Sequence, residues 1–128
     1  MIEGIETLYQ QIADSIVDAI QEPWSVVTME AIFYTDSIDF DAEYTRETGQ
    51  VASFGINLAT SRVFRALRKQ FKEAGQPVWG QARFELRADG KFNMTFGYEN
   101  CDEKGDTIFD AEKWHQRQAE RRKRLTSM

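Results

Sequence analysis

The chain has 128 residues and a net charge of −5 at pH 7, and its single cysteine excludes an internal disulfide and is typical of a reducing cytosol. This length predicts one domain, residues 1–128, whose core can draw on nine Phe, four Tyr and three Trp residues. No apolar run approaches the ~20 residues of a membrane helix, and the acidic, amphipathic N-terminal stretch is unlike a signal peptide. We therefore expect a cytoplasmic protein without a membrane partner.

The first half of the chain is predicted to form one helix and three strands. Apolar residues spaced three and four apart predict a helix over residues 5–20, which Pro23 helps to end. Two runs typical of strands follow at 24–35 and 37–45. A third, shorter strand is predicted at 51–56.

A helix and a hairpin come next. The helix is predicted over residues 60–74, with Gly75 as its left-handed C-terminal cap. The hairpin strands, 80–86 and 91–98, are joined by a turn at Asp89-Gly90. Five apolar residues share one face of the hairpin and are expected to be buried under helices: Phe84, Leu86, Phe92, Met94 and Phe96.

The last part of the chain reads as a polar loop over residues 100–107 and a helix over 110–124. The predicted order is therefore α-β-β-β-α-β-β-α. This order indicates an α+β fold, with an antiparallel sheet of about five strands and helices packed mainly on one face.

The charges are distributed unevenly between the two halves. Residues 1–60 contain eleven acids and one base, whereas residues 61–128 contain ten acids and fifteen bases. Such asymmetry is typical of a protein with a charged partner surface, but also of one whose two halves neutralise each other. The sequence leaves both interpretations open.

The stretch SIDFDAEYT (37–45) concentrates the acids, because apolar and acidic residues alternate along it. The three acids, called the carboxylate ladder below, are Asp39, Asp41 and Glu43. On one face of a strand they lie about 6.5–7 Å apart. That spacing is within the ~8–10 Å screening length, so the ladder forms a concentrated negative field unless cross-strand Lys or Arg residues neutralise it.

A weak internal repeat suggests that folding does not require these acids. Fifty-four residues further along, the corresponding outer positions of the last predicted strand are Asn93, Thr95 and Gly97. We therefore expect the ladder to face solvent, and its replacement by neutral isosteres to leave the fold intact. The predicted partner-binding residues are the ladder and two flanking acids: Asp36, Asp39, Asp41, Glu43 and Glu47.

Catalytic patterns are sparse. His115 has no Cys or second His near it in sequence, and Cys101 lies in a polar loop without a recognisable base. Phosphate-binding loops of the GxxxxGKS or GxGxxG type do not occur. Acids on an exposed strand face are not desolvated, which argues against acid–base chemistry at the ladder. We expect no enzymatic activity, no cofactor and no metal.

Basic residues form two groups, a helical stripe and a C-terminal cluster. The stripe is typical of a solvated helix face, and its members are Arg62, Arg65, Lys69 and Lys72. The C-terminal cluster complements a helix dipole, and its members are Arg121, Arg122, Lys123 and Arg124. It leaves open an alternative function as a nucleic-acid-binding or adaptor module. Nucleic acid is an unlikely partner, since no aromatic stacking motif accompanies the cluster and the chain is acidic.

The segment GQPVWGQARFELRADGKFNMTFGYEN (75–100) resembles the YezG-like immunity family, antitoxins of bacterial polymorphic and contact-delivered toxins. The resemblance extends to a leading helix followed by a Trp, a middle helix, and a late Trp114 near Arg117 and Arg121. One departure is Val78, which separates Pro77 from Trp79. SIDFDAEYT matches no part of the family pattern.

The resemblance implies a small cytosolic α+β protein that binds and neutralises the toxin domain of its own system. Immunity proteins often block nuclease toxins, whose active sites are positively charged to hold phosphates. The carboxylate ladder would then imitate a phosphate backbone and speed encounter by roughly 10–10³-fold.

Overall fold

The structure of the protein, a computed structural model, describes residues 4–126. The predicted order of helices and strands is confirmed. The elements are α1 (Ile5–Ala19), β1 (Trp24–Phe33), β2 (Ile38–Arg46), β3 (Val51–Ser53), α2 (Leu58–Glu73), β4 (Gln81–Arg87), β5 (Phe92–Gly97) and α3 (Ala111–Thr126).

The five strands form one antiparallel sheet in the order β3-β2-β1-β4-β5. Strand β1 lies at the centre, paired with β2 on one side and β4 on the other. Helices α1 and α2 cover one face, where Ile12, Ile16, Phe64 and Leu67 are fully buried. Helix α3 contacts the opposite face through ion pairs with β2. The predicted architecture, with helices mainly on one face, is therefore confirmed.

The predicted cap of α2 is confirmed in detail. Gly75 has a φ of +71°, a conformation that costs glycine little because it has no Cβ. Its N–H donates to the Lys72 carbonyl at 3.1 Å, and the Gln76 N–H donates to the Phe71 carbonyl at 3.0 Å. These two bonds satisfy carbonyls at the helix end and turn the chain back towards the sheet.

Aromatic residues fill the core beside α2. Trp79 is fully buried, stacks on Phe96 at 4.8 Å between ring centroids, and meets Phe33 and Phe71 edge-on. Arg68 of α2 lies over the Phe33 ring at 4.8 Å and donates from Nε to the Trp79 carbonyl at 2.9 Å. The Pro-Val-Trp stretch is thus a structural anchor between α2 and β4.

The predicted loop over 100–107 is more ordered than its composition indicates. Cys101 and Thr107 form an isolated antiparallel bridge, and the Arg68 guanidinium binds Asp106 at 2.8 Å. The loop lies against Gly80, where a Cβ would come within 2.5 Å of both the Cys101 sulfur and the Thr107 hydroxyl. This close approach fixes the chain that leads into α3.

The expected burial of five apolar hairpin residues is only partly correct. Phe84 and Leu86 of β4 are buried, but Met94 and Phe96 of β5 are half-buried and Phe92 is 47% exposed. Strand β5 is an edge strand, so helices cover its inner face only in part. Phe92 stacks on Phe84 at 5.4 Å between ring centroids and meets Tyr9 of α1 edge-on at 5.8 Å.

A polar cluster joins the end of the α1–β1 connection to β2. The Glu22 carboxylate accepts from the Arg46 guanidinium at 2.8 Å and from the Tyr44 hydroxyl. The hydrogen bond from Arg46 and then that from Tyr44 lower the pKa of Glu22, and the bond to Glu22 raises the pKa of Tyr44. The cluster is therefore strongest when Glu22 is ionised and Tyr44 is protonated.

The lowered Glu22 pKa predicts an acid-sensitive contribution to stability. Because the folded state favours the carboxylate, this contribution is complete above the ordinary pKa of 4.5 and is lost as the pH falls through the lower folded-state value. Replacing Glu22→Gln should reduce the fall in melting temperature between about pH 5 and pH 3. Glu47→Gln, which removes one exposed acid from the turn between β2 and β3, is the control for the loss of a single charge.

Burial predicts a large difference between two phenylalanines of the same hairpin. Phe84→Ala should lower the free energy of unfolding by about 3–5 kcal/mol, whereas Phe92→Ala should cost about 1–2 kcal/mol, because half of its ring already meets water. Urea denaturation of the two variants measures both values. Equal losses would contradict the assignment of β5 as a thinly covered edge.

Candidate functional site

The outer face of the sheet, opposite α1 and α2, is rich in charge. Along β2 the carboxylate ladder occupies alternate positions on this face, as its period of two requires. Asp41 pairs across the sheet with Glu30 of β1, and Glu30 in turn pairs with Arg83 of β4, whose guanidinium lies 2.6 Å from it. Asp41 and Glu30 thus place two negative charges side by side on adjacent strands, and a nearby cation is needed to neutralise each of them.

Helix α3 begins directly above this face. Asp110 caps it, since its Oδ1 accepts from the Lys113 N–H at 3.2 Å and its carbonyl accepts from the Trp114 N–H at 2.9 Å. Between Ala111 and Leu125 no residue of α3 is fully buried. The half-buried residues recur at helical spacing on the side that meets the sheet: Trp114, Arg117, Gln118, Arg121 and Leu125.

Each acid of the carboxylate ladder has at least one partner on this side of α3. The Trp114 Nε1–H donates to the Asp39 Oδ2 at 3.1 Å. Asp41 has two guanidinium partners, Arg121 at 2.6 Å and Arg117 at 3.5 Å. At the last rung the Arg124 Nε lies between the two oxygens of Glu43, at 2.8 and 3.0 Å. The Glu43 carboxylate raises the pKa of Arg124, chiefly through this hydrogen bond.

The expectation that the ladder faces solvent is therefore wrong. The side chains of Asp41 and Glu43 are only 12% and 10% exposed, and Asp39 is half-buried. The alternative of neutralisation is correct, but the cations come from a helix 76 to 81 residues away and not from a neighbouring strand. Part of the charge asymmetry between the two halves thus cancels within the molecule.

The two flanking acids differ from the ladder, because both are exposed. Asp36 lies in the turn between β1 and β2, which the Tyr34 N–H closes by donating to the Ser37 carbonyl at 2.8 Å. Glu47 lies in the turn between β2 and β3, at the other end of β2. The five predicted partner-binding acids therefore do not form one continuous exposed surface. Their role in binding remains a prediction.

The C-terminal basic cluster does not form a single basic face. Arg121 and Arg124 point to the ladder, while the Arg122 Nε donates to the Gln118 carbonyl within α3 at 3.4 Å. The contact of Arg121 with Asp41 is an ion pair but not a hydrogen bond, because the Arg121 Nε lies near the carboxylate without the required alignment. Arg121 and Arg124 thus bind acids of the same chain, which lowers the positive potential that the cluster offers to a nucleic acid.

The catalytic candidates are placed apart from one another. His115 is exposed on α3 with its ring edge-on to Trp114 at 5.2 Å. The Cys101 sulfur is half-buried beside Gln81 and Thr107. Within residues 4–126, no group of three His, Cys, Asp or Glu side chains has the geometry to hold a metal ion. Nor does any helix in this range combine the length and apolar content needed to cross a membrane.

A hollow beside the β1–β2 turn is the feature that sequence reasoning missed. Tyr34, Ile108, Phe109 and Trp114 line it together with Asp36. Two consecutive apolar residues directly before the helix cap, Ile108 and Phe109, are the sequence signal that marks it. Both lie outside any strand or helix and both are exposed.

The pairing with α3 predicts that the ladder contributes to stability. Asp41→Asn leaves two half-buried guanidinium groups without a carboxylate and should cost about 2–3 kcal/mol of unfolding free energy. Glu43→Gln should cost about 1 kcal/mol, because the more exposed Arg124 can turn to water. Asp36→Asn is the exposed control and should change little. Urea titration checks all three, and a stabilised Asp41→Asn variant would contradict the ion pairs.

Comparison with known proteins gives one family. The family described as Immunity protein YezG-like matches residues 56–120, just over half of the chain. The matched part contains α2, β4, β5 and the first ten residues of α3, and it excludes β2 with the ladder. No curated protein matches the chain.

Proposed function

The chain belongs to the family of YezG-like immunity proteins, and we propose on that premise that it binds a cognate bacterial toxin domain and blocks its activity. The family match is the observation that carries this proposal. Immunity proteins of this kind are generally not enzymes. The scattered positions of His115 and Cys101 agree with a protein that acts by binding.

We propose further that the toxin is a nuclease and that it is met in the cytosol. The support is the excess of acid, since a net charge of −5 attracts a domain whose active site is basic in order to hold phosphates. Such attraction raises association rates by roughly 10–10³-fold and makes them depend on salt.

The acids should contribute to this interaction in two different ways. Asp36 and Glu47 are exposed and can meet the toxin directly, and half-buried Asp39 lies at the end of the ladder nearest to Asp36. Asp41 and Glu43 are already paired, so we assign them the task of holding α3 in place. We therefore assign the imitation of a phosphate backbone to the acids at the two ends of β2 and no longer to those at its centre.

The primary test is co-expression with the product of the adjacent gene as the candidate toxin, scored by rescue of growth and by co-purification. A chain that neither protects the cell nor co-purifies with that toxin would refute the proposed function. For the acids, stopped-flow association with a catalytically inactive toxin domain provides the sharper measurement.

Removing the exposed acids should slow association. We expect Asp36→Asn combined with Glu47→Gln to lower the on-rate about 3–10-fold at low salt, and the difference to shrink at high salt, because exposed charges are screened. The control is Asp18→Asn, which removes an exposed acid from α1. An unchanged on-rate at both salt concentrations would contradict a binding role for the two acids.

A second variant separates a structural ladder from a binding ladder. The arginines of α3 compete for the ladder if the toxin reaches it by displacing the helix, so replacing Arg117, Arg121 and Arg124 by Gln would then tighten toxin binding. If α3 stays in place, as we propose, the same variant loses stability and does not bind more tightly. Tighter binding would show that Asp41 and Glu43 are direct contacts.

A further inference from the structure

The apolar hollow beside the β1–β2 turn has the character of a docking surface. It has a volume of about 590 Å³ and an apolar wall formed by Tyr34, Ile108, Phe109 and Trp114. Ile108 and Phe109 are 52% and 59% exposed, and the Tyr34 and Phe109 rings meet edge-on at 5.7 Å. Adjacent exposed apolar residues of this kind mark interaction sites more often than singly exposed ones do.

The backbone holds this wall in position before any partner arrives. The Thr107 N–H donates to the Phe33 carbonyl at 2.7 Å, which ties the segment to the end of β1. The Ile108 N–H donates to the Asn100 carbonyl at 2.8 Å, and the Asn100 side chain returns a bond to the Ile108 carbonyl at 3.1 Å. A wall fixed in this way loses little conformational entropy on binding.

The charged lining of the hollow has one sign. Asp36, Asp39 and Asp102 line it, and among the described residues no Lys or Arg does. Asp39 is oriented by the bond from the Trp114 indole. The Oδ1 of Asp102 is fixed by the backbone N–H groups of Lys104 and Asp106, at 2.9 and 3.0 Å. Three carboxylates around aromatic rings favour a cation.

We propose that this hollow is the principal docking site for the toxin, and that it receives an Arg or Lys side chain from a surface loop of the toxin domain together with a neighbouring apolar residue. The inference rests on the proposed function and gives that function a place and a chemistry. The aromatic rings provide π faces for the cation, and the carboxylates replace the water that it loses. Ile108 and Phe109 provide the apolar contact that typically dominates such anchors.

Charge on the other side of the same turn gives the docking a direction. Asp36 also borders a second hollow, whose lining includes Arg65, Lys69 and Lys72 of α2. A basic toxin loop is repelled from that side and attracted to the apolar one. Bases outnumber acids five to three in the lining of that second hollow, so charge favours the apolar hollow as the place where a basic loop binds.

The test compares exposed apolar residues inside and outside the hollow. Binding of the inactive domain of the adjacent-gene toxin is measured by calorimetry for Phe109→Ser and Ile108→Ser, with Leu58→Ser and Val17→Ser as controls of similar exposure. We expect Phe109→Ser to weaken binding about 30-fold, as loss of an anchor residue does, and the controls to bind like wild type. Melting temperatures of the hollow variants should fall by about as much as those of the controls, because the four side chains are similarly exposed.

Charge reversal tests the cation. Asp36→Arg should weaken binding further than Asp36→Asn, and a toxin variant with one interface Arg or Lys changed to Glu should recover affinity for Asp36→Arg.

The outcomes separate the two proposals. Failure of the wild-type chain to bind the toxin would overturn both the function and the docking site. Wild-type binding with unchanged affinity of Phe109→Ser would overturn the docking site alone. If light scattering finds a dimer that Phe109→Ser converts to a monomer, the hollow is occupied by a second copy of this chain and the proposal is wrong.

Discussion

The pairing of acidic β2 with the arginines of α3 is the constraint that allows a helix to cover the outer face of the sheet. The outer face of the sheet offers Asp39, Asp41 and Glu43 where most sheets offer apolar residues or a solvated surface. A helix of ordinary amphipathic character could not cover such a face, because it would bury carboxylates without partners. The strongly polar α3 covers it with guanidinium groups instead, and no residue from Ala111 to Leu125 needs full burial.

The same contact shapes the surface beside it. Because Trp114 bonds to Asp39, the first turn of α3 is held at the end of β2, close to the β1–β2 turn. The residues just before the helix, Ile108 and Phe109, are thereby held at the rim of the hollow, while Arg68 and the Gly80 contact fix the preceding loop from the other side. The hydrogen bond between Trp114 and Asp39 thus helps to hold the exposed apolar residues Ile108 and Phe109 in position.

The sequence predicted the elements and their order because periodicity is local: alternation along β2 and the three-and-four spacing in α1 and α2 need no knowledge of the rest of the chain. It failed where the answer depended on distant residues. The sequence predicts a solvated ladder, because the residue that neutralises Glu43, Arg124, lies 81 residues further along the chain. The sequence predicts a buried Phe92, because its local pattern does not reveal that β5 lies at the edge of the sheet. The hollow is built from a turn, a loop and a helix start, and periodicity describes none of these.

Internal pairing also changes what the acidity of the chain means for recognition. A field made by Asp41 and Glu43 is largely cancelled at short range by Arg117, Arg121 and Arg124, so it attracts any basic protein only weakly. Beside the β1–β2 turn, by contrast, Asp36, Asp39 and Asp102 line a hollow together with apolar groups, and no Arg or Lys among the described residues lines it. In the docking that we propose, a partner must match a cation and an apolar residue at one place, which a merely basic surface does not do. On this proposal, self-neutralisation in the middle of β2 favours selective binding at the hollow, where unpaired carboxylate oxygens and an apolar wall lie side by side.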